Sequence, residues 1–167
     1  MRFTSLPLLT ALLISCSPPG KTTHPEPVEM NAVHSGIFES VIFRKENAAA
    51  YSQIFKADEF WTPASGEVDT VENDLISFFD GDDSMAAENH GMPPGTRKFI
   101  LSNLDKYNGQ YVGLVINSQK YVQGNFFIYR EKYSDWKDTW IIHSFNSHYW
   151  SVLYNYDMKR IESFMYN

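Results

Sequence analysis

Cysteine is almost missing from this sequence: Cys16 is the only one in 167 residues. Any domain beyond it therefore has no disulfide, no thiol nucleophile and no thiolate metal site. No apolar run reaches the roughly 20 residues that a membrane-spanning helix needs. Lys and Arg are absent between Lys56 and Arg97, a stretch that holds ten carboxylates. With a formal net charge of −6, the chain is a poor partner for nucleic acid or for direct docking on anionic lipid. No G-x-S-x-G, H-E-x-x-H or Gly-rich phosphate loop occurs, so the common sequence signatures of hydrolases and nucleotide binders are lacking.

What is present begins with an address. Arg2 supplies a positive start, and Leu6 to Ile14 is apolar apart from Pro7 and Thr10. A charged start, a short apolar core and then small residues describe a secretory signal peptide. Leu13-Ile14-Ser15-Cys16 follows directly. It resembles the lipobox of bacterial lipoproteins, and the resemblance implies cleavage before Cys16 with acyl (palmitate-type) chains on that residue. Two or more chains anchor a protein stably, whereas one holds it marginally. Ser17 stands where enteric lipoproteins kept at the inner membrane carry Asp, so the same resemblance points to the outer membrane, facing the periplasm.

Residues 16–36 then read as a lipidated cysteine and a flexible tether, because "SPPGKTTHPEPVEMNAVHS" is rich in proline and poor in large apolar residues. Partly extended, it reaches about 25 to 60 Å. His24 and His34 lie in it and read as solvated linker histidines. Residues 37–167 form the expected single domain. About 130 residues suffice for a core without staples.

Aromatics make up 16% of the chain and cluster late, which favours strands. "IFESVIFR" reads as a first strand, and "AAAYSQIFKADEFW" leaves helix and strand both open. Val68, Val71, Leu75 and Phe78 fall on one helical face, predicting a helix from about Ala64 to Phe79 with Thr62 or Ser65 as cap. Glu67, Asp69 and Glu72 sit early in it, where the helix dipole favours acids. A short second helix is predicted in "TRKFILSNLDKYNG". Then "QYVGLVI", "KYVQGNFFIYR", "TWIIHSF", "YWSVLYNY" and "RIESFMY" read as strands joined by short turns. The expected fold class is α+β: one or two helices on a curled antiparallel sheet of four to six strands.

Several of these stretches carry a further likeness. Phe60-Trp61-Thr62-Pro63 before an acidic helix, Gln110-Tyr111-Val112-Gly113, and Asn125-Phe126-Phe127 resemble a pattern in small bacterial envelope proteins of uncharacterised function. The likeness runs from about Glu59 to Asn167. Gly109 stands where that pattern has Arg, and Asn146-Ser147-His148 where it has Asp-Gly-Gly. The resemblance implies an envelope location and the α+β fold, and no particular activity.

The candidate chemistry is sparse. Asp80, Asp82, Asp83 and Glu88 could supply oxygens to calcium, which takes six to eight. The loop departs from the EF-hand pattern, with Met85 in place of Gly and Gly91 in place of the bidentate Glu. His143 and His148, five apart, could serve a small periplasmic hydrolase with Ser144, Ser147 or Ser151, or zinc with His90. Trp136, Trp140 and Trp150 could line a binding face, since Trp and Tyr dominate interface hot spots. The leading expectation is a lipid-anchored, non-enzymatic module without a cofactor. It would bind an envelope protein or ligand through those tryptophans or through Asp80, Asp82 and Asp83. Inhibitor and immunity proteins are one class of that kind. A calcium-stabilised structural lipoprotein and a hydrolase are the alternatives.

Overall fold

The computed structural model describes residues 30–81, 92–128, 134–142 and 148–166. The fold is α+β, as expected. Its centre is a seven-stranded mixed sheet that is not closed. The strands are β1 (Ala32–Ser35), β2 (Glu39–Ile42), β3 (Glu59–Trp61), β4 (Asn108–Ile116), β5 (Gln119–Phe127), β6 (Tyr149–Asn155) and β7 (Arg160–Tyr166). The helices are α1 (Lys45–Ala48), α2 (Ser65–Phe79) and α3 (Thr96–Leu101). The spatial order is β1-β2-β4-β5-β6-β7, with β3 also on β4. Strands β2 and β3 share one edge of β4 end to end: β2 pairs with residues 108–111 and β3 with 113–115.

The sheet has more strands than expected, and it is not wholly antiparallel. The short turns of the C-terminal half give antiparallel β4–β5–β6–β7. The β2–β4 pair is parallel, because the chain between them crosses over through α1, β3, α2 and α3. Asn117 and Ser118 both take positive φ in the β4–β5 turn, the primed geometry that matches strand twist.

Two cores form, one on each face of the sheet. Successive side chains of a strand point to opposite faces, so Ile42, Tyr111, Phe126, Trp150, Val152 and Tyr154 join Val68, Val71, Leu75 and Phe78 of α2. Val41, Val112, Leu114, Phe127 and Tyr149 join Phe55, Trp136, Trp140 and Ile141 on the other side. Fully burying side chains of this size contributes roughly 1.5–3 kcal/mol each.

Three local expectations are corrected. β1 lies inside the stretch read as tether, and its pairing with β2 (Val33 with Val41, His34 with Ser40) makes it part of the sheet. The helix α2 starts where predicted, but Ala64 is its cap residue. Its backbone N–H donates to Glu67 at 2.7 Å, while the Thr62 hydroxyl accepts from Lys45 N–H. Residues 139–142 of "TWIIHSF" are not a strand. Their backbone is instead held by side chains: Gln110 donates to the carbonyls of Trp136 and Thr139 and accepts from Ile141 N–H, and Asn125 donates to the Ile141 carbonyl.

Candidate functional site

The tryptophans expected on a binding face are core. Trp136, Trp140 and Trp150 are 2%, 5% and 0% exposed, and Trp150 stacks on Phe126 with ring centroids 3.6 Å apart. A sheet covered on both faces hides twice the aromatic area of one covered on a single face, which corrects the aromatic docking surface. Asp80 is exposed at the C-terminal end of α2. Asp82, Asp83, Glu88, His90 and His143 lie outside the described residues, as do Cys16 and His24. His148 is half-buried and stacks on Phe99 at 4.9 Å between centroids.

Two features of α2 remain. Its solvent side carries Asp69, with Asp80 exposed just past its end, and the helix contains no Lys or Arg. Its inward side carries Glu72 within the apolar stripe, one turn after Val68 and just before Leu75. Glu72 is 1% exposed. A buried carboxylate needs partners, and these come from the sheet. The Tyr111 hydroxyl donates to Glu72 Oε1 at 2.9 Å, and Ile37 N–H, in the β1–β2 turn, donates to Oε2 at 2.5 Å. Burial still raises the Glu72 pKa, outweighing the opposing effect of those hydrogen bonds and of His34. Burial, and then the neighbouring Glu72, pushes the Tyr111 hydroxyl well up.

His34 completes the group. It is the only inward-facing residue of β1 and is 5% exposed. Its Nε2 lies 3.4 Å from Asp69 Oδ1 and 3.6 Å from Glu72 Oε1, yet it has no hydrogen-bond partner among the described residues. Asp69 is the open side of the cluster, with its side chain 52% exposed. Gly36 closes the other side: a Cβ there would strike the Glu72 carboxylate and come within 2.6 Å of His34 Nε2. Imidazole and two carboxylates converging in this way can hold a cation or share a proton.

Sequence reasoning passed over this cluster. His34 follows the proline-rich stretch and carries no apolar neighbour pattern, so it read as solvated; it is buried. The available signal was Glu72 itself, a carboxylate at the i+4 position from Val68 in a helix whose buried face is otherwise apolar.

Compared with known protein families, curated proteins and solved structures, the chain matches none.

Proposed function

We infer that this protein is a lipid-anchored module of the bacterial cell envelope, without catalysis of its own, that binds a basic protein partner. The anchor rests on the Leu13–Cys16 lipobox. The partner's chemistry rests on one observation: Asp69 on α2 and Asp80 just past its end are exposed, and the helix carries no basic residue. Exposed acidic residues of this kind steer a basic protein and disfavour acidic ones. Burial of the tryptophans moves the reading away from an aromatic groove and towards this charged face. Among the described residues, no helix is long and apolar enough to cross a membrane, which is compatible with a lipid as the anchor.

The test is a crosslinked capture from the native envelope. The full-length protein is compared with a variant carrying Asp69→Lys, Asp80→Lys, Asp82→Lys and Asp83→Lys. The expected result is a stoichiometric basic partner that the variant loses and that added salt weakens. Equal capture by both proteins, or a partner with no basic surface, would overturn the reading.

A further inference from the structure

We propose that His34, Asp69 and Glu72 form a site for a single divalent transition-metal ion of the zinc class. Geometry comes first. Ligands at about 2.0–2.2 Å around a tetrahedral ion stand about 3.3–3.6 Å from one another. His34 Nε2 lies 3.4 Å from Asp69 Oδ1 and 3.6 Å from Glu72 Oε1. The three donor atoms all fall within 4.8 Å of one another. The Asp69 side chain is half-exposed, so it has room to adjust around an ion.

A second observation is independent of the carboxylates. His34 Nε2 is buried and has no hydrogen-bond partner among the described residues, and leaving such a group unsatisfied is costly. Gly36, having no Cβ, packs close against this nitrogen and the Glu72 carboxylate. A cation held between this nitrogen and the two carboxylates would satisfy it.

The donor set selects the ion. One nitrogen and two carboxylates suit zinc and its neighbours, whereas calcium wants six to eight oxygens. Three protein ligands leave a fourth position for water on the Asp69 side. The outer contacts also fit. Tyr111 and the Ile37 amide each occupy one lone pair of a Glu72 oxygen, leaving the second available to metal. Such outer hydrogen bonds fix a ligand's orientation. The ion would bridge β1 and α2 where the chain leaves the tether.

The experiment uses the full-length protein in detergent, stripped with a chelator, then titrated calorimetrically with zinc chloride and calcium chloride. Visible spectra with cobalt report the geometry. The proposal predicts one zinc per chain, a melting temperature that rises with zinc, and a four-coordinate cobalt spectrum. Asp69→Ala, at an exposed position, should weaken zinc about tenfold or more while leaving the metal-free melting temperature unchanged. His34→Ala should weaken it about a hundredfold. The proposal is overturned if zinc does not bind, if calcium binds better than zinc, or if zinc binding is unchanged in Asp69→Ala.

Discussion

Gln110 shows how much one side chain decides here. It is fully buried, and its carboxamide has every position filled. Nε2 donates to the Trp136 and Thr139 carbonyls at 2.5 and 2.8 Å. Oε1 accepts from Asn125 Nδ2 and Ile141 N–H, both at 2.9 Å. Gln110→Ala would strand three buried backbone groups and one amide donor, so we predict a loss of roughly 3–5 kcal/mol in urea unfolding. Gln123→Ala, at a half-buried position with one longer bond, should cost under about 1 kcal/mol. The sequence marks Gln110 and Asn125 only as parts of a recurring pattern. Neither residue type announces a backbone clamp, because the groups it holds lie far along the chain. Trp61 behaves similarly. Its indole N–H reaches the Leu114 and Tyr121 carbonyls, and its ring lies over Gly113, where a Cβ would come within 2.7 Å.

At the level of elements, legibility followed the length of the apolar pattern. The four-step stripe of α2 and the long alternations of β4, β5, β6 and β7 could be read directly. β1 could not, because it has four residues and only His34 faces inward. β3 has three residues, too few for a period. Residues 139–142 look like a strand in composition, since Trp140, Ile141 and Ile142 suit one, but their hydrogen bonds go to side chains. Glu72 was legible as an acid in a helix and not as a buried one, since its compensation comes from Tyr111 and Ile37 in other elements. The new boundary can be tested by limited proteolysis. β1 is hydrogen-bonded to β2 and anchored by His34, so the stable fragment should begin at or before Ala32. A stable fragment beginning at Ile37 would contradict the place of β1 in the fold.

For the molecule as a whole, the two-sided sheet explains the aromatic content. Side chains of β2, β4, β5 and β6 are buried on both faces, so the described late aromatics lie in or against two cores. What is left for recognition is charge, concentrated between Lys56 and Arg97, and the cluster where β1 meets α2. The proposed function places the domain at the end of a tether that starts at Cys16. A direct measurement is intact-mass spectrometry of the protein extracted from its own membranes with detergent. The account predicts a chain beginning at Cys16, heavier than its residues by the mass of two or three acyl chains with their glycerol, and a Cys16→Ser form that carries no acyl chain and is not cut before residue 16. An unmodified chain that still begins at Met1, or a Cys16→Ser form that is cut and acylated like the natural one, would contradict it.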